Sequence, residues 1–134
     1  MKIMAIIEKG KDGLYSSYSE AHIGNSYFGG FGDSVTEVKE DFVASVKEAI
    51  AEQVAEGKDA PAFEDIEIEY KYDIPSFFNF FDYINMSKFA EYAGINESKM
   101  RAYKSGSAYP GEKTLAKIVV AVKSIGAELC NATL

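Results

Sequence analysis

Between Asn85 and Gly106 the chain reads NMSKFAEYAGINESKMRAYKSG, and this stretch leaves little freedom in what it can form. Phe89, Ala90 and Ala93 fall on one face of a short helix, Gly94 interrupts it, and a second short helix starts at Asn96. Asn85 and Asn96 are placed to accept hydrogen bonds from the orphan amides of the helices they precede. Gly94 is free to take the left-handed conformation that ends a helix, and Ala90 is small where two helices must approach. Ile95, Met100 and Tyr103 supply apolar contacts from the turn and the second helix. The spacing predicts a helix-turn-helix in which Asn96 to Ser105 is offered to a DNA major groove.

The net charge of −7 conflicts with that expectation until it is divided along the chain. Residues 1–72 hold 7 Lys against 15 Asp and Glu, a balance of −8, whereas residues 73–134 hold 7 Lys and Arg against 6 acids, a balance of +1. Between Asn85 and Ala127 the count is 7 basic to 3 acidic. A weakly basic element therefore hangs on an acidic one that repels nucleic acid, which points the acidic half toward a basic protein. With 134 residues, 47% of them hydrophobic, the chain has material for one ordinary domain or two small ones. It has no apolar run long enough for a membrane span and no cleavable leader, so a cytoplasmic location is expected, with no membrane partner. The lone Cys130 agrees with a reducing compartment.

The acidic half opens with Ile3, Met4, Ala5, Ile6 and Ile7, a run too short for a helix and expected as a strand buried on both faces. Lys11-Asp12-Gly13 reads as a hairpin turn into a second strand from Leu14 to Tyr18, and a third strand is expected between Tyr27 and Phe31, interrupted by glycines. From Ser34 the period changes: Val35, Val38, Phe42, Val46, Ile50 and Val54 recur at helical steps, and Glu37 stands three residues after Ser34 as in a capping box. Ile66, Ile68, Tyr70 and Tyr72 then alternate with charged residues, the pattern of a half-exposed strand. Asp73 begins a new, all-helical domain, with a helix rich in phenylalanine from Pro75 and a last helix over Lys113 to Ile125 that Gly126 is expected to cap. The aromatic content after Pro75 exceeds what one helix face needs, and predicts rings set against the sheet or against a second copy. The fold class expected is α+β: a small βββαβ sheet domain over residues 1–72 and an all-α helix-turn-helix domain over residues 73–134.

Two stretches resemble known arrangements. The motif from Asn85 to Gly106, followed by Tyr109-Pro110 and Thr114-Leu115-Ala116-Lys117-Ile118, resembles the phage-repressor-like (Xre/Cro) helix-turn-helix class. IIEKGKDGLYSSY, the glycine-rich strand and GDSVTEVKEDFVASVKEAI resemble HicB antitoxins. That resemblance implies a partial RNase H-like sheet, a HicA-like mRNA-cleaving toxin as the protein partner, operator DNA of the protein's own operon as the second partner, and a homodimer or higher oligomer, since one small recognition helix reads too few bases. On the expected recognition helix Glu97, Ser98, Arg101 and Ala102 flank Met100 and Tyr103 and are placed toward bases. Lys99, Lys104 and Ser105, with Ser87 and Lys88 of the preceding helix, are placed toward phosphates, and Asn96 lies at the helix start beside them.

Catalysis is not expected, nor is a cofactor or a metal. Glu8, Asp12 and Asp33 do not form a converging set by spacing, the single His22 has no Cys or second His to share a metal, and Gly29-Gly30-Phe31-Gly32 lacks the lysine and spacing of a phosphate loop. The competing reading is a stand-alone repressor whose N-terminal domain senses a small molecule in a pocket lined by Tyr15, Tyr18, Tyr27, Phe28 and Phe31.

Overall fold

The first two strands form a hairpin because its turn satisfies itself. Strand β1 (Lys2–Lys9) and strand β2 (Tyr15–Ile23) flank a loop in which Gly13 takes φ 85°, the Asp12 carboxylate accepts from the Leu14 amide at 3.0 Å, and the Gly10 amide donates to the Leu14 carbonyl at 2.7 Å. This is the arrangement in a computed structural model that describes residues 1–134. Strand β3 (Ser26–Gly32) pairs antiparallel with β2, helix α1 (Val35–Ala55) follows, and strand β4 (Glu67–Tyr72) returns alongside β1 in parallel. The sheet is mixed, in the order β3-β2-β1-β4. Helix α1 starts where the capping pattern places it: the Glu37 amide donates to Ser34 Oγ at 3.3 Å, and Glu37 Oε2 accepts from the Asp33 amide at 2.8 Å.

Helix α1 covers one face of the sheet, and this decides the burial of β1. Ile3, Ala5 and Ile7 point toward α1 and are fully buried with Phe28, Phe42 and Val46, whereas Met4 on the other face is 44% exposed. The apolar run is therefore buried on one face only, contrary to the expectation of burial on both. β2 also runs five residues beyond the expected Tyr18, with a register break between Tyr18 and His22.

Contacts divide the chain into two compact units, Met1–Phe80 and Phe81–Leu134. Helix α2 (Ile74–Phe80) goes with the first of them rather than opening the helical unit. The Asp73 carboxylate accepts from the Ser76 amide and the Lys9 amide, each at 2.9 Å, the Val35 amide donates to Asn79 Oδ1 at 2.9 Å, and Phe78 is buried. Its rings meet the sheet, as their number predicted: Phe80 stacks on Tyr72 at 6.1 Å and Phe77 meets Tyr72 edge-on at 6.0 Å. The ammonium of Lys39 sits over these rings, 3.4 Å from the Phe80 centroid and 4.2 Å from that of Tyr70.

Burial pushes the Tyr72 phenol up to about 12, with Tyr70 adding to the shift, and raises Tyr70 itself; burial lowers Lys39. A raised phenol favours the neutral form in the folded chain, so its contribution is complete below pH 10 and is lost as pH rises toward 12. Lys39 acts oppositely, since its buried charge disappears as pH rises. Thermal unfolding midpoints measured from about pH 9 to about pH 11 are expected to fall, and Tyr72→Phe is expected to flatten that fall. An unchanged slope in Tyr72→Phe would place the alkaline loss on other groups.

The second unit holds helices α3 (Met86–Ala93), α4 (Glu97–Ser105) and α5 (Glu112–Asn131). Its buried residues are Met86, Phe89, Ala90, Met100, Ile118 and Ala121. Helix α5 does not stop at Gly126, as the sequence suggested, but continues to Asn131. Gly126 keeps an ordinary negative φ, and glycine inside a helix costs only about 0.5–1 kcal/mol relative to alanine. No helix is long and apolar enough to cross a membrane.

Candidate nucleic-acid interface

Helices α3 and α4 are set by three local devices. Asn85 Oδ1 accepts from the Lys88 amide at 3.0 Å and caps α3; Gly94, at φ 72° and ψ 37°, ends it; and Asn96 Oδ1 accepts from the Lys99 amide at 3.1 Å and caps α4. The Ile95 amide closes the turn on the Ala90 carbonyl at 2.9 Å. Ala90 and Phe89 are buried on α3, and Met100 is the buried residue of α4. With Met100 inward, helical geometry turns Ser98, Arg101, Ala102 and Ser105 to the opposite side. Ser98, Arg101 and Ser105 are exposed and Ala102 is half-buried.

Of the residues expected to contact DNA, Ser87, Glu97 and Arg101 are brought together, and several are already engaged. Arg101 Nη2 lies 2.6 Å from Glu97 Oε1 in an i,i+4 ion pair and 3.4 Å from Ser87 Oγ, and the Ser87 hydroxyl also donates to Glu97. This links the start of α3 to the outer face of α4. The pair is exposed on both sides, so it is worth only about 0.3–0.5 kcal/mol and yields easily to a better partner. In the free chain Glu97 is thus the ion-pair partner of Arg101. Asn96 is committed to its cap, with its side-chain oxygen turned to the backbone rather than outward. Ser105 Oγ donates to the Ala102 carbonyl at 3.0 Å and lies 3.0 Å from Ser107 Oγ, so this hydroxyl pair finishes α4 above Gly106, which takes φ 83°.

Lys88, Lys99 and Lys104 are exposed and make no ion pair with a carboxylate. Lys99 and Lys104 stand on α4 and Lys88 on α3, free to reach a phosphate backbone if α4 enters a groove. Ser107 and the exposed Tyr109, 79% accessible, extend the surface beyond the residues the sequence singled out. A serine–glycine–serine run after a helix was a usable signal for the first. Tyr109 read only as part of a turn before Pro110.

Elsewhere the polar groups do not converge. No group of three or more His, Cys, Asp or Glu side chains is arranged to hold a metal ion. The His22 ring pairs its Nδ1 with the Gly24 carbonyl at 2.9 Å, and Asp12 is spent on the hairpin turn.

No match was found. Protein-family models, curated proteins and solved structures all fail to align with the chain. Its own residues and geometry carry the functional argument.

Proposed function

We propose that this chain is a HicB-like antitoxin: a DNA-binding repressor of its own operon that also captures a basic, HicA-like toxin. The observation that carries the reading is the α3–Gly94–α4 geometry, in which two capped helices meet through a left-handed glycine and leave the polar face of α4 open. This is how a helix-turn-helix presents its recognition helix. It lies in the unit Phe81–Leu134, which has 7 basic and 5 acidic residues, while Met1–Phe80 has 7 basic and 16 acidic. Such segregation suits one unit to phosphates and the other to a basic protein. The order β3-β2-β1-β4 with α1 on one face supports a partial RNase H-like sheet for the acidic unit.

The repressor with a sensor domain is less well supported. Tyr15 and Phe28 are built into the core, whereas Tyr18, Tyr27 and Phe31 stand exposed, so the five rings line no common pocket.

The DNA half of the reading is tested on the protein's own promoter. Arg101→Ala is expected to weaken binding to the promoter by about 1–3 kcal/mol, and binding to random duplex by less, as read by fluorescence anisotropy at fixed salt. Equal losses on both duplexes would make Arg101 a backbone contact. Absence of any promoter preference in the unaltered chain would overturn the repressor.

A further inference from the structure

The acidic unit has one sheet face that its own helices leave open. Helix α1 takes the side of Ile3, Ala5, Ile7, Phe28 and Gly30, so the alternate residues of each strand face out. Register then places an apolar patch at the centre of this face. Ile6 pairs with Tyr18, Tyr18 with Gly29, and Ser16 with Phe31. Tyr18, Tyr27 and Phe31 thus share this face with the small Gly29 and Ser16. Phe31 is 74% exposed and Tyr27 69%. Met4 extends the patch toward β4.

Carboxylates border it. Glu69 is paired with Lys2 at 3.0 Å; beyond that pair Glu8, Glu20 and Glu67 make no ion pair, against Lys71 alone. Exposed aromatic anchors inside a charged rim are the arrangement of a protein-binding hot spot. The sign of the rim selects the occupant. A second copy would bring the same carboxylates against these, and nucleic acid or an anionic membrane would be repelled.

We infer that the open face of the sheet, centred on Tyr18 and Phe31, is the docking surface for a basic protein that inserts apolar side chains between lysines or arginines. This rests on the antitoxin reading and names its binding surface, in preference to the acidic outer face of α1. The β3 edge is not the contact by strand addition: its outward amides at Gly29 and Phe31 already donate to Ser45 Oγ at 3.2 Å and Asp41 Oδ2 at 2.9 Å.

The test is a calorimetric titration of the full chain with the purified basic product of the adjacent gene. Phe31→Asp and, separately, Tyr18→Asp are expected to weaken binding by about thirtyfold or more, the size of a hot-spot loss. Glu40→Lys together with Glu48→Lys on α1 is expected to change it less than about threefold. Both ring positions are exposed, and unchanged thermal unfolding of each variant confirms that folding is intact. Unaltered binding by Phe31→Asp and Tyr18→Asp would overturn the docking face while leaving the antitoxin standing. Binding lost through the α1 pair would move the surface to the helix and also overturn it. No binding by the unaltered chain would overturn the antitoxin reading and this inference with it.

Discussion

Gly30→Ala is expected to destabilise the N-terminal unit by about 3 kcal/mol or more, at the upper end of what overpacking costs. A Cβ on Gly30 would lie 2.7 Å from the Val38 carbonyl oxygen, 2.9 Å from the Phe42 nitrogen and 3.1 Å from Ser17 Oγ. Two of these three atoms belong to the backbone of α1, which cannot swing aside as a side chain can. The helix must lift as a whole, and it is held down by Val38, Phe42 and Val46, all fully buried, with the Phe42 ring edge-on to Phe28 at 6.1 Å. A loss of that size is a large fraction of the roughly 5–15 kcal/mol that holds an ordinary domain together. The chain has no tryptophan, so urea unfolding is followed by tyrosine fluorescence and near-ultraviolet circular dichroism. Gly29→Ala is the control: its Cβ meets only the Ser17 carbonyl, at 3.3 Å, on the open face. Equal unfolding midpoints for Gly30→Ala and the unaltered chain would mean that α1 does not press on β3 as described.

Gly30 also shows where sequence reading stops. A glycine-rich strand lowers the expectation of a strand at all, because glycine weakens one in isolation. Its cause lies 8 and 12 residues further along, at Val38 and Phe42 of a helix packed so closely that no side chain fits beneath it. Local signals were legible where local chemistry decides the outcome. Asn85, Gly94 and Asn96 cap and end their helices as their types predict, and the 3–4 spacing from Val35 to Val54 gave α1 nearly to its ends. The burial of β1 was not legible, since a continuous apolar run looks the same whether one face or both are covered. The placement of α2 was hidden for another reason. It depends on Asp73 and Asn79 reaching Lys9 and Val35, contacts across 64 and 44 residues. At the candidate interface the Glu97–Arg101 pair was readable from its i,i+4 spacing, but the link to Ser87 required the folded turn.

Val119→Glu is expected to leave the chain folded but monomeric, and to lower its affinity for a two-half-site operator by a factor on the order of 10² to 10⁴. On α5, Leu115, Val119, Val122, Gly126 and Leu129 follow one another at steps of four, three, four and three, the seam spacing of helices that pack on helices. The stripe is open, with Leu115 41%, Val119 48% and Leu129 66% exposed. Gly126 lies in it with nothing within 4 Å of where a Cβ would stand, so no neighbour inside the chain requires glycine there. On the proposed repressor reading, a helix from a second copy crossing at that point would supply the reason, and two copies would supply the two recognition helices that half-sites need. Because Val119 touches solvent, a carboxylate there costs the single chain little, which equal thermal unfolding of the two proteins would establish. Sedimentation equilibrium then reads the oligomeric state, and titration of a fluorescent promoter fragment reads the affinity. A dimeric Val119→Glu with unchanged promoter binding would remove α5 from the dimer, and a monomer with unchanged binding would remove the need for a dimer. A monomer that still distinguishes a single half-site from random duplex, weakly, would separate recognition by α4 from the avidity that pairing adds.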